Sequence, residues 1–326
     1  MRVKHALLRG LAACVALACA AAAAQTRAPD YPTRSIRIVV PLSPGGSGDI
    51  NARMFSAWLE ERFKQAVIVD NRPGGGTIIG TDFVVRSPAD GYTLLVAAQN
   101  VSYLNLTLKE TNIQIKDFSP IGIISGGGYV LMVSSSVPAK TLRELVAYSK
   151  ANPGKLNYGM AGGTALPEVE ELRLKLGLDL THVAYKGGSQ VVQAFSTGEV
   201  HFFPAGVYQA IPLVKDGKGR AVAYTERYRY RSIPDVPTVG ESGVGAPDFD
   251  AHFWIGVLGP AGLPRDIVTR LNSEVLHMIQ SPEVLGRLRN LAYNTYPMTP
   301  DEMRADMEKT RKLVADLVAR GVIKTD

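Results

Sequence analysis

Residues 35–42 (SIRIVVPL) form an apolar, β-branched run that breaks into Ser43-Pro44-Gly45-Gly46-Ser47-Gly48-Asp49, ahead of an amphipathic stretch over 50–63. The order is strand, glycine turn, helix. It returns at 66–70 (AVIVD), which leads through Asn71-Arg72-Pro73-Gly74-Gly75-Gly76-Thr77 into helical periodicity over 78–86. A third apolar run, 93–97 (TLLVA), is entered through the turn Pro88-Ala89-Asp90-Gly91. Alternation at this spacing predicts βαβ units and a mainly parallel sheet.

A second series begins near Gly126-Gly127-Gly128. Strands are expected at 129–134, 156–158, 181–185, 200–203 and 220–224, and helices at 141–152, 167–176 and 189–197. Thr141 with Glu144 three residues later reads as an N-terminal cap. Residues 227–247, rich in Arg, Tyr, Pro and Gly, read as a connection; a strand at 253–258 and helices at 264–280, 282–291 and 299–320 follow. Two α/β halves and a helical tail account for 326 residues, enough chain to bury a sizeable core.

The first 24 residues stand apart. Arg2, Lys4 and Arg9 precede a short apolar segment from Leu11, and Ala22-Ala23-Ala24 before Gln25 offers a small-residue cleavage site. Residues 1–24 are therefore expected to be a signal peptide, and the mature chain to be exported to the periplasm. Leu11-Ala12-Ala13-Cys14 has the form of a lipobox, but Cys14 would leave too short an apolar region, so lipid anchoring is not expected. The segment also changes the charge. The whole chain carries 36 Lys and Arg against 30 Asp and Glu; without three leader cations the excess halves, and with it the argument for a nucleic-acid partner. Cys14 and Cys19 both lie in the leader, so the mature chain has no thiol or disulfide chemistry.

Motifs for covalent or metal chemistry are missing. There is no Gly-x-Ser-x-Gly elbow and no His-Glu-x-x-His pair, and Gly75 to Gly80 has phosphate-loop spacing with Thr81 in place of Lys. His182, His201, His252 and His277 are dispersed; Glu60/Glu61 and Glu170/Glu171 read as solvated helix faces. A secreted hydrolase is the alternative reading, because a triad need not be local in sequence. What the chain does offer is glycine-rich turns at 44–49, 73–77 and 162–164, each between a strand and a helix. Glycine lets backbone approach a ligand, and a helix start presents free N–H groups with a partial positive charge, so such turns suit carboxylates and phosphates.

Several motifs together resemble one family. They are Pro44-Gly45-Gly46-Ser47-Gly48-Asp49, Val69-Asp70-Asn71-Arg72-Pro73-Gly74-Gly75-Gly76, Ala89-Asp90-Gly91-Tyr92-Thr93-Leu94-Leu95 and His182-Val183-Ala184-Tyr185-Lys186-Gly187-Gly188. Pro234-Asp235-Val236-Pro237-Thr238, Trp254-Ile255-Gly256 and Pro260-Ala261-Gly262-Leu263-Pro264 continue the match. The chain resembles the Bug family, the TctC-like extracytoplasmic receptors of tripartite tricarboxylate transporters. The resemblance implies a type II periplasmic binding protein with two Rossmann-like lobes around a ligand cleft. Lobe I would comprise 28–124 plus 226–326, and lobe II 125–225. It also implies a monomeric, non-enzymatic receptor without cofactor or metal. Its ligand would be a small di- or tricarboxylate, delivered to membrane transporter subunits or a sensor.

By the same resemblance the ligand contacts are Pro44, Gly45, Gly46, Ser47 and Asp49 in the first turn, Gly75, Gly76 and Thr77 in the second, and Asn100 after the third strand. In lobe II they are Gly162, Gly163, Thr164, Tyr185, Lys186 and His201. The chain departs from the family pattern twice. Its 162–168 segment is one residue short and lacks a His, and His201 stands where the family carries an Asp. Losing that carboxylate favours an organic acid over an amino acid, and Phe202, Phe203 and Tyr208 nearby add aromatic or longer-chain dicarboxylates.

Overall fold

A computed structural model describes residues 31–161, 166–185 and 188–325. The expected leader and four of the candidate contacts, Gly162, Gly163, Thr164 and Lys186, lie outside the described residues. The first half runs β1 (Ile36–Val40), α1 (Ser47–Phe63), β2 (Val67–Asn71), α2 (Ile78–Val85), β3 (Thr93–Ala98), α3 (Leu104–Thr107) and β4 (Phe118–Gly127). β5 (Val130–Ser134), α4 (Leu142–Ala151), β6 (Asn157–Ala161), α5 (Leu166–Leu176), β7 (Thr181–Tyr185), α6 (Gly188–Thr197), β8 (Phe202–Ala205), α7 (Val207–Lys215) and β9 (Gly219–Tyr224) follow. β10 (Phe253–Pro260) and the helices α8 (Arg265–Gln280), α9 (Pro282–Asn290) and α10 (Pro300–Ala319) complete the chain.

The strands form two five-stranded sheets, ordered β2-β1-β3-β10-β4 and β7-β6-β8-β5-β9. β1 pairs in parallel with β2 and β3, while β10 runs antiparallel to both β3 and β4. The second sheet repeats the scheme, with β6 parallel to β7 and β8 and with β5 reversed between β8 and β9. Each sheet is thus mainly parallel with one reversed strand, and that strand directly follows or precedes a chain crossing. The parallel strands put the turns after β1, β2 and β3 at one end of the first sheet, and those after β6, β7 and β8 at the corresponding end of the second.

Apolar runs become central strands for a physical reason. β5 and β8 are buried on both faces, and their residues divide by period two. Leu131, Val133 and Phe202 enter one apolar cluster, while Val130, Met132 and Phe203 enter another. β7, an edge strand, is largely exposed. Thr141 caps α4 as its spacing implies, its hydroxyl accepting from Glu144 N at 3.1 Å.

Two elements escape the sequence pattern. β4 carries Pro120, Gly122, Gly126 and Gly127, which read as breakers, yet nearly all of it is buried. α7 contains Pro212, and Gly206 precedes it. Close packing also uses glycine inside a helix. A Cβ at Gly80 of α2 would lie 2.8 Å from Arg72 O and 2.9 Å from Pro41 Cα. Gly80→Ala should therefore lower stability by about 1–3 kcal/mol through overpacking; an unchanged urea midpoint would show that α2 can shift freely.

Where the chain crosses between sheets, a buried network ties the passages together. Tyr129 N donates to Thr225 Oγ1 at 2.7 Å, and Thr225 Oγ1 donates to Ala251 O at 2.8 Å. Gly128 N donates to Tyr224 OH at 2.9 Å. The Glu226 carboxylate accepts from Tyr224 OH at 2.9 Å, from Asn294 Nδ2 at 2.8 Å and from Tyr296 OH. Burial raises the Glu226 carboxyl above its ordinary range, against the pull of the two hydroxyls.

Candidate ligand-binding cleft

The first turn builds itself. Asp49, 4 % exposed, accepts from Gly45 N at 3.0 Å and pairs with Arg53 at 2.9 Å, so Asp49 fixes the turn. The Arg53 bond is the first cause holding the Asp49 carboxyl below its ordinary range. α1 then begins at Ser47 with no side-chain cap on its N-cap residue, Gly46. Its opening N–H groups are left for a ligand or water.

The second turn is locked to the first by the Asp70-Asn71-Arg72 run. Asn71 Nδ2 donates to Leu42 O at 3.1 Å; Arg72 pairs with Asp70 at 2.8 Å and lies 3.6 Å above the Phe83 ring. These residues therefore serve the scaffold. Gly74, Gly75 and Gly76 have φ of 127°, 57° and 59°, a left-handed succession that other residues resist. Thr77 closes the turn, and Asn100 Nδ2 donates to its Oγ1 at 3.4 Å. The structure thus brings the candidate contacts Thr77 and Asn100 together.

A cavity of about 360 Å³ opens at these strand ends. Ser47 of α1, Ala98 of β3 and Phe253 of β10 line it from the first sheet and its helices; Met160 of β6, Phe203 of β8, Gly206 before α7 and Gln209 of α7 line it from the second, and Tyr293 also borders it. It receives the starts of three helices, at Ser47 of α1, Gly188 of α6 and Gly206 before α7. The described residues that line it are all uncharged at neutral pH. Negative charge would be met here by backbone dipoles and hydroxyls, with apolar walls between. Burial pushes the Tyr293 hydroxyl up, with Tyr208 adding to the effect, while a hydrogen bond from the Ser47 side chain opposes it.

Of the candidate contacts, Ser47 lines this cavity. Pro44, Gly45 and Gly46 are exposed in the same turn; Gly75 and Gly76 are exposed in the second. Tyr185 and His201 are not among the described residues that line it. The Tyr185 hydroxyl donates to Glu199 at 3.3 Å. The His201 ring lies 2.8 Å from Asn157 Oδ1, at the start of β8, whereas the cavity lies beyond its end. Phe202 is in the core, but Phe203 and Tyr208 line the cavity. Tyr129, Gly206, Gln209, Phe253 and Tyr293 carried no sequence signal for a site, since α7 was hidden by Pro212 and Tyr293 is 246 residues from Ser47.

Among the described residues no group of His, Cys, Asp or Glu could hold a metal ion, and no helix is long and apolar enough to cross a membrane.

Residues 51–323 match the family described as tripartite tricarboxylate transporter family receptor. A protein encoded in the tcbD-tcbE intergenic region of Pseudomonas sp. (strain P51) is 32 % identical over 293 residues, covering 88 % of this chain and 87 % of that one. Protein BugT of Bordetella pertussis is 30 % identical over 315 residues, covering 94 % of each. Among solved structures, R. palustris Rpa4515 with adipate superposes with a TM-score of 0.74 at 29 % identity, covering 91 % of this chain and all of that one.

Proposed function

Because the chain belongs to the tripartite tricarboxylate transporter receptor family, which makes it a solute-binding receptor and not an enzyme, we propose that it captures a small carboxylate in the periplasm and delivers it to a membrane transporter of that type. The single observation that carries this reading is the meeting of three helix starts, drawn from both sheets, on one uncharged cavity. Helix starts converging in this way meet negative charge with backbone dipoles. Phe203, Met160 and Phe253 give it apolar walls that suit an aliphatic or aromatic body, and a six-carbon dicarboxylate, the ligand class of the adipate-bound R. palustris protein, fits that description. The lobes that close on it are taken as 28–124 with 226–326, and 125–225; membership of the two sheets supports that division.

Thermal unfolding with adipate, malate, citrate, benzoate and aspartate tests the reading. A ligand at 100 times its dissociation constant should add about 2.7 kcal/mol; no response to any acid would remove the carboxylate assignment. Ser47→Ala should then weaken the responding acid by about 1 kcal/mol, since it loses a hydroxyl at the start of α1. Unchanged affinity in calorimetry would take Ser47 out of the site.

A further inference from the structure

Gln99 follows β3 in the first lobe, and Glu168 lies in the first turn of α5 in the second. They are 2 % and 6 % exposed and meet across the lobes, with Gln99 Nε2 2.6 Å from Glu168 Oε1. Among the described residues, Gln99 Oε1 and Glu168 Oε2 have no hydrogen-bond partner. Both residues border a cavity of about 130 Å³. The charged and titratable groups around it are Glu171 on α5 itself, Asp306 and Lys309 on α10, and Asp250 and His252 ahead of β10; Tyr103 stands close enough to feel the Glu168 charge.

We propose that Glu168 is a proton-controlled latch between the two lobes: as a neutral carboxylic acid it donates to Gln99 and holds the lobes together, and loss of that proton drives them apart. Three observations lead there. An ionised carboxylate this deeply buried needs a cation or several donors, and among the described residues Glu168 has only the Gln99 amide and its own backbone N–H. The amide of Gln99 can be turned by half a revolution, which puts its oxygen against Glu168; 2.6 Å is then an ordinary O–H···O length and is short for N–H···O. The turned oxygen also lies 3.5 Å from Thr310 Oγ1, a hydroxyl that can donate to it, and the unpaired Glu168 oxygen becomes a neutral carbonyl, which is less costly to bury than half of a carboxylate.

Burial is the main cause that raises the Glu168 carboxyl, to about 8, and Glu171 and Asp306 add like charge to it. Once the lobes part, water reaches Glu168 and its ordinary acidity returns, so ionisation and separation favour each other. The latch lies on the segments that carry the candidate contacts, since Gln99 precedes Asn100 and Glu168 follows Thr164 by four residues. The inference goes beyond the carboxylate reading and does not depend on it.

The test uses the ligand-free mature protein. Small-angle X-ray scattering should show a larger radius of gyration near pH 9 than near pH 6, while Glu168→Gln, which mimics the neutral acid, stays compact at both. Gln99→Leu, which lacks the acceptor, should be expanded at both. In carbon NMR of glutamate-labelled protein, one carboxyl signal should titrate near 8 and be missing from Glu168→Gln. Wild type and Glu168→Gln scattering alike at both pH values would overturn the latch, as would compact Gln99→Leu near pH 6 or glutamates that all titrate in the ordinary range. Because no acid ligand is added, none of these outcomes touches the carboxylate assignment.

Discussion

Glu226→Ala is expected to destabilise the protein by about 3–5 kcal/mol. The carboxylate accepts from Tyr224 OH, Asn294 Nδ2 and Tyr296 OH, all at the crossing between the sheets. Removing it strands several buried donors, each costing roughly 1–3 kcal/mol, with losses that do not add because the groups share one network. Tyr224 is the most constrained, since its hydroxyl also accepts from Gly128 N and its ring is fully buried. A Cβ on Gly128 would come within 2.8 Å of that ring, so this bond exists because the residue is glycine. Glu226→Gln keeps one acceptor but turns an amide N–H₂ against a hydroxyl or against Asn294, and should cost about half as much. Urea unfolding measures both, and a loss below about 1 kcal/mol for Glu226→Ala would mean that water replaces the carboxylate and that the crossing does not rely on it.

This network shows what a sequence conceals. Glu226, Asn294 and Tyr296 belong to segments with neither strand nor helix periodicity, and Asn294 and Tyr296 lie 68 and 70 residues from the carboxylate they meet. The βαβ units of the first half were legible because each strand must be apolar on two faces and each turn must carry glycine. The same rule misread β4 and α7, where glycine and proline sit inside an element and tertiary packing overrides local preference. Missing α7 removed Gly206 and Gln209 from view, and with them one of the helix starts at the cavity. Conversely, Ser47 was legible because its turn carries the chemistry in the backbone. His201 was not excluded by any local pattern; only its pairing with Asn157 at the start of β8 separates it from the cavity.

The charge count was a poor guide for a related reason. Asp49, Asp70 and Glu241 are paired with arginines in the scaffold, so formal charge is used to shape turns. The described residues lining the cavity are uncharged, and the proposed capture of an anion there rests on helix starts that a charge count does not register. Salt should therefore affect stability of the exposed Arg229–Glu241 type of pair more than it affects ligand capture.

Glu168→Gln should make the protein more stable, and by an amount that grows with pH. In the unfolded chain a glutamate releases its proton near 4.5, whereas in the folded protein Glu168 holds its proton to about 8. Below the lower value both states are protonated and the residue contributes nothing to pH dependence. Between the two values the folded state binds one more proton than the unfolded state, so stability falls as pH rises. Above the higher value the cost is complete, and an interval of this size corresponds to roughly 3–5 kcal/mol. Glutamine has no proton to lose, so the curves of variant and wild type should nearly meet near pH 4 and diverge steadily towards pH 8. Separation of the lobes sets a ceiling on this divergence: once opening costs less than keeping a buried carboxylate, the wild-type curve flattens early, and the shortfall measures the opening free energy. Urea titrations across this range decide the matter. Parallel curves would show that Glu168 ionises normally in the folded protein, and that its contact with Gln99 is an ordinary hydrogen bond to a carboxylate.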